Sequence, residues 1–295
     1  MKARHVRNTL ASLTVILLVA ACRQQEEVIL PELNAVYFWR TDFRLDSLEL
    51  DFLRHHHLSR IYCRYFDVVI DETTHQPMPN ATLTFTDRLP DGVELVPTVF
   101  ITEACMHRHY DGLAQRLVKR VLQMNETHDR GKVEELQIDC DYTARSRNAY
   151  YRFLEEVRRE AATHGIRLSA TIRLHQLSMP APPVDEGVLM LYNTGDPMHF
   201  QERNPILDMR DVAPYLSSLP GYQLPLAAAY PVFRWERNVY GMQIDHEVEA
   251  NEVLRVKRAV EQRRPELRRR IVTYHLSHEN IKRYTQEDYE AIYHH

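Results

Sequence analysis

Glycine is scarce, at 8 residues in 295. A nucleotide cradle uses glycines to bring backbone close to phosphate, and no glycine-rich phosphate loop is present. There is no G-x-S-x-G elbow and no H-E-x-x-H helix, so those hydrolase signatures are missing as well. A strong excess of acidic or basic residues is also missing. The formal net charge is −4, which gives no reason to expect a nucleic-acid partner. No apolar run reaches the roughly 20 residues that a spanning helix needs. Internal repeats, low-complexity blocks and long linkers are absent. Cysteine is limited to Cys22, Cys63, Cys105 and Cys140, and none has the paired spacing of a zinc site. No pattern calls for a metal or a cofactor. His55-His56-His57 falls on a predicted helix, where successive side chains diverge rather than converge on an ion.

What is there begins with an export signal. Lys2, Arg4 and Arg7 form a basic head before the short apolar run Leu10–Ala21. Val19-Ala20-Ala21-Cys22 then resembles the lipobox of bacterial lipoproteins, in which the cysteine is acylated and becomes the new N-terminus. That resemblance implies a signal peptide over 1–21, a lipidated tether over 22–33 and a domain over 34–295. Several acyl chains anchor stably where one is marginal. The polar stretch after Cys22 carries Glu26 and Glu27, which resemble the acidic surface-export signals of Bacteroidetes lipoproteins. The expected location is the bacterial envelope, at the periplasmic or surface face of an outer membrane. With Cys22 acylated, three cysteines remain, an odd count that excludes complete intramolecular pairing. They read as small buried hydrophobes.

Strand-like and helix-like segments alternate through the rest. Strands are predicted at 35–40, 60–66, 95–101, 135–140, 167–173, 187–192, 224–230 and 270–276. Helices are predicted at 47–57, 112–124, 146–164, 209–217, 249–263 and 286–293. Asp46 with Glu49, and Thr285 with Asp288, are placed as helix starts. Eight strands interleaved with helices predict an α/β fold, a (β/α)8 TIM-type barrel. Two helices are expected to be missing or shortened, because 67–93 and 174–186 are proline-rich with little helical periodicity. An open, doubly wound sheet is the alternative. The basic cluster Arg263, Arg264, Arg268, Arg269 and Arg270 reads as a solvated face.

In such a barrel, strand ends and the loops after them build the site. Gln137, Asp139 and Asp141 alternate with Leu136, Ile138 and Cys140, and Ser169, Thr171, Arg173 and His175 alternate with apolar neighbours in the same way. Side chains two apart share a face, so two adjacent strands present polar faces to the interior. Buried polar groups are costly unless paired, and a wet, functional mouth is expected. Trp39, Asp42, Arg64, Glu103, Gln176, Tyr192, Asn193, Tyr230 and His275 lie at other strand ends. Aromatic rings, carboxylates and donors around one opening suit sugar recognition. Two carboxylates there could act on a glycosidic bond, with Asp141, Asp139 and Glu103 as catalytic candidates and the others as substrate ligands.

Residues 136–143 resemble the fourth-strand motif D-x-x-D-x-D-x-E of family-eighteen glycoside hydrolases. Asp139 and Asp141 match the second and third aspartates, which that resemblance implies position substrate and acid. Leu136 replaces the first aspartate, and Thr143 replaces the glutamate that serves as general acid. FWRTDF (38–43), RIYCRYFDV (60–68), VPTVFIT (96–102), QIDCD (137–141), TIRLHQL (171–177) and GVLMLYN (187–193) together resemble a Bacteroidetes lipoprotein family with a glycoside-hydrolase-like barrel. That likeness implies relatedness to glycosidase barrels and transfers no activity. Three readings follow: a carbohydrate-acting barrel, a non-catalytic glycan-binding lipoprotein, and an envelope accessory whose aspartates are locked in salt bridges.

Overall fold

A computed structural model describes residues 32–195, 203–239 and 242–294, with side chains described outside 236–244. The predicted eight strands are all present. β1 (Leu33–Phe38), β3 (Arg60–Ile70), β6 (Glu94–Ile101), β7 (Glu135–Asp139), β8 (Arg167–Arg173), β9 (Glu186–Met190), β10 (Leu226–Pro231) and β13 (Arg270–Tyr274) run parallel in chain order. β1 pairs with both β13 and β3, the latter with Ala35 opposite Arg60. That double pairing closes the sheet into a barrel and excludes the open alternative.

Flanking helices are α1 (Ser47–His55), α2 (Leu113–Thr127), α3 (Arg147–Thr163), α4 (Met209–Val212), α5 (Ala250–Arg263), α6 (His278–Ile281) and α7 (Gln286–Tyr293). α1 and α7 begin with the two capping boxes expected, at Asp46 with Glu49 and at Thr285 with Asp288. Each box satisfies backbone donors that a helix start leaves open. The predicted helix at 209–217 is shorter, because Pro214 follows α4 within a 3-10 turn.

The two proline-rich gaps hold no α-helix. Instead β3 runs on to Ile70 and folds back antiparallel onto β4 (Pro77–Asn80), while β5 (Thr84–Phe85) pairs with β2 (Asp42–Phe43) in a small outer sheet. Residues 174–178 form a 3-10 turn. A hairpin of β11 (Arg234–Val239) and β12 (Met242–Glu247) follows β10 and was not anticipated.

The barrel is closed at its N-terminal end by charge. Arg60, Glu94, Glu135, Arg167, Glu186 and Arg270 are the first residues of six strands. Arg60 bridges Glu94 at 2.8 Å and Glu135 at 3.0 Å, and Arg270 bridges Glu186 at 2.7 Å. Ser169 donates to Glu135 at 2.6 Å. Burial, then the neighbouring Glu186, pushes the Glu135 carboxyl upward. Arg270 is therefore no part of a solvated face: it is 3% exposed. Arg264 departs from that reading too, holding the carbonyls of Tyr222 and Leu224. Cys63, Cys105 and Cys140 are free and buried, as expected.

Candidate functional site at the barrel mouth

The interior above the charged plug is built in layers from alternate strand positions. Tyr37 on β1 donates to Gln137 on β7 at 2.9 Å. One layer higher, Thr171 on β8 donates to Asp139 at 2.6 Å. Above that, the Arg173 Nε–H donates to Asp141 at 2.5 Å. The polar faces of β7 and β8 do point inward, and their side chains answer one another strand to strand.

Asp139 is 3% exposed. Among the described residues it accepts only the Thr171 hydrogen bond and forms no ion pair. Burial pushes its carboxyl up to about 6, opposed by Arg173 and assisted by Asp141. Arg64 grips Asp67 through both Nε and Nη2. A register shift between Arg64 and Phe66 makes this pair possible. The extra residue, Tyr65, sends both itself and Phe66 to the helical side, where Tyr65 donates to Asn125 of α2 and Arg120 covers the Phe66 ring. Strand parity is thereby reset, and Asp67 returns to the interior beside Arg64.

Aromatic rings wall the mouth. Tyr192 stacks on Tyr274 with centroids 4.6 Å apart, and Phe233 packs against Tyr274 at 5.4 Å. Trp39 lies 5.6 Å from Tyr274, and the Arg64 guanidinium sits over the Trp39 ring, 5.6 Å from its centre. A cavity of about 330 Å³ opens here, lined by Asp141, Arg173, His175, Tyr192, Asn193 and Tyr215 among others. The Tyr192 hydroxyl and the Gln137 Nε2 are buried without a hydrogen-bond partner among the described residues. Asn193, at φ 53°, takes the left-handed backbone that asparagine tolerates better than most residues.

Several expected members of the site lie elsewhere. Tyr230 is fully buried on the outer side of β10, where it senses Glu261 of α5, because parity along β10 turns its ring toward the helices. Gln176 is also buried. Its Oε1 accepts from the Arg173 N–H and its Nε2 donates to the Tyr142 carbonyl, so it ties down a loop and presents nothing to a ligand. Asp42 sits on the outer sheet, accepting from Thr86 at 2.5 Å. Glu103 accepts from Ser146 at 2.5 Å and from Thr143 Oγ1 at 2.7 Å, and it lines a different cavity from Asp141. Those hydrogen bonds, Ser146 foremost, hold its carboxyl below the usual range, the wrong direction for a proton donor at neutral pH. His275 is half-buried beside Phe233, and burial lowers its imidazole. Cys22 and the signal segment fall outside the described residues. Among the described residues no cluster could hold a metal ion, and no helix is long and apolar enough to cross a membrane.

No family model matches the chain, and no curated protein matches it. Solved structures do match. A chitinase of Chromobacterium violaceum superposes with a TM-score of 0.54 and 10% identity, covering 88% of this chain and 98% of that one. The GH18 chitinase of Cycas revoluta, in complex with (GlcNAc)3, gives 0.52 at 11% identity, covering 88% and 97%. The spore cortex-lytic enzyme SleL of Bacillus megaterium gives 0.51 at 10% identity, covering 83% and 70%. The likeness is one of fold.

Of the residues the sequence pointed to, Asp141, Arg173, His175, Tyr192 and Asn193 line one cavity, and Asp139 is buried one layer beneath. Tyr37 and Phe233 were not singled out. For Tyr37 a signal existed: it stands two residues before Trp39 on one strand, and so shares its face. For Phe233, which follows β10, local pattern held no signal.

Proposed function

We propose that this chain is an envelope lipoprotein, tethered through Cys22, whose barrel mouth binds a glycan without cleaving it by the paired-carboxylate route. The observation that carries this reading is the Arg173–Asp141 ion pair beside Thr143 at the position where the family-eighteen motif has its acid. Hydrolysis with two carboxylates needs one free to give a proton and another to attack or activate water. Here Asp141 is held by Arg173, Asp67 by Arg64, and Glu103 by Ser146 and Thr143. The partly exposed rings of Trp39 and Tyr274, backed by the buried Tyr192 and Phe233, supply apolar faces on which sugar rings stack, with polar groups between them. The fold shared with chitinases, one of them holding (GlcNAc)3, agrees with a carbohydrate ligand.

Calorimetry against a panel of oligosaccharides, with product analysis of the same mixtures, tests the reading. Binding without turnover is expected. Asp141→Asn should weaken that binding about tenfold by freeing Arg173, in the range for loss of a charge-assisted contact. A shortened oligosaccharide among the products would favour the second reading, in which Asp139 serves as an acid. Its carboxyl, pushed up to about 6, is the one feature that supports this.

The anchor has its own test. Cys22→Ser should move the protein from the membrane fraction to the soluble fraction of envelope preparations. An unchanged membrane association would reject acylation at this residue as the tether.

A further inference from the structure

The mouth holds more carboxylates than cations. Asp141 lines its cavity together with His175, and Asp139 and Asp67 lie buried beneath, within reach of the charges of Arg64 and Arg173. Arg64 is committed to Asp67 through two hydrogen bonds, and Arg173 to Asp141 through its Nε. Asp139 is left with one hydroxyl donor, Thr171, at 3% exposure. A buried carboxylate of this kind is costly unless a cation reaches it. The groups around it are the rings of Tyr37, Tyr150, Tyr192 and Tyr274, the two other aspartates, and the guanidiniums of Arg64 and Arg173. Arg173, though hydrogen-bonded to Asp141, also acts on Asp139 through space, and none of these groups adds a third positive charge.

A second observation points the same way. The Tyr192 hydroxyl, on a residue 2% exposed that lines the cavity, has no hydrogen-bond partner among the described residues. An N–H donor entering the mouth would meet an acceptor at Tyr192 and a charge at Asp139. Aromatic faces at the rim add attraction for a cation.

We propose that the mouth selects a glycan bearing a free, protonated amine, a de-N-acetylated amino sugar, over its N-acetylated or neutral counterparts. The ammonium would supply the third positive charge and hydrogen-bond Asp139, while the pyranose ring packs on Tyr274 and Trp39. This deepens the glycan-binding reading and rests on it. Neutral sugars leave Asp139 buried and unpaired, so the discrimination comes from the cost of that unpaired charge in their complexes. Protonating Asp139 removes the preference. Burial places that change near the upper end of the carboxylate range, at about 6, so affinity for the amine is lost as pH falls through that region.

Matched oligomers of glucosamine and N-acetylglucosamine, titrated into the wild-type protein by calorimetry, test this. At about pH 7 the free-amine oligomer should bind about tenfold more tightly, in keeping with pairing of a desolvated charge. That preference should vanish at about pH 5 and in Asp139→Asn. Equal or tighter binding of the N-acetylated oligomer overturns the proposal and leaves glycan binding standing. Absence of binding by both, while a neutral oligosaccharide of another type binds, also overturns it. Failure of every oligosaccharide overturns both readings. The comparison between ligands and the pH series use the unaltered protein, so they decide the matter even if the variant fails to fold.

Discussion

Asp139 is the residue at which burial and charge conflict most openly. Its carboxyl is pushed up to about 6 by desolvation, whereas an unfolded aspartate titrates near 3.9. Between those values the folded chain holds more protons than the unfolded one, so stability falls as pH rises from about 4 to about 6. Asp139→Asn removes the ionisable group and keeps an oxygen to accept from Thr171. It should therefore stabilise the fold above about pH 6 by up to roughly 2 to 3 kcal/mol, since each pH unit between the folded and unfolded values corresponds to about 1.36 kcal/mol. Urea unfolding at neutral pH and near pH 4 measures this: the gain should be present in the first and absent in the second. A variant less stable than wild type at neutral pH would mean that the charged form is well solvated. Retention of a destabilising carboxylate is what a binding site shows when function is held at the expense of stability.

Among the elements, the 3-10 turn after β8 shows how a loop fixes the site without touching a ligand. Gln176 closes it from both sides, toward the Arg173 N–H and toward the Tyr142 carbonyl. Gln176→Ala leaves a buried amide and a buried carbonyl unpaired, which costs about 1 to 3 kcal/mol for each group. We expect a lower urea midpoint and weaker glycan binding, because the same turn begins at the residue that holds Asp141. Gln176→Glu keeps the acceptor for the Arg173 N–H and loses the donor to Tyr142. It should recover part of the binding loss, whereas a direct ligand contact by Gln176 would show no such rescue. The hairpin β11–β12 replaces the helix that usually follows a barrel strand immediately, and the residues leading into it carry Phe233 to the aromatic wall. β4 similarly occupies the space of a missing helix by extending the sheet at β3.

Across the whole molecule, charge closes one end of the barrel and opens the other. At the N-terminal end, Arg60, Arg167 and Arg270 interleave with Glu94, Glu135 and Glu186, and each carboxylate finds a guanidinium. At the mouth the carboxylates outnumber the guanidiniums. The plug is therefore structural and the mouth is left with a demand for a ligand. Arg60→Met strips one cation from three carboxylates and should destabilise the fold by about 3 to 5 kcal/mol, the usual cost of breaking a buried pair from one side. Chemical denaturation measures it, and glycan affinity of the folded fraction should stay unchanged because the two ends share no residues. A change below about 1 kcal/mol would show the plug to be hydrated and weak.

The fold class was legible in the sequence because it depends on local periodicity. Eight short β-rich runs, six amphipathic segments and two capping boxes repeat a pattern that neighbours within a few residues define. The inward polar faces of β7 and β8 were legible for the same reason, since alternation is a two-residue rule. The lipobox-like segment at Cys22 is also a purely local pattern, read from the sequence alone. Tertiary structure decided the rest. Whether Asp139 has a cation, whether Asp141 is free, and whether Tyr230 or Phe233 faces the mouth depend on partners far away in the chain, such as Tyr37 and Gln137, 100 residues apart. The extra residue at Tyr65 reverses strand parity, so a strict reading of alternation sends Asp67 to the wrong side of the sheet. Sequence thus determined which residues are polar and which share a face. Barrel closure and one bulge decided which charges meet, and left Asp139 without an ion pair among the described residues.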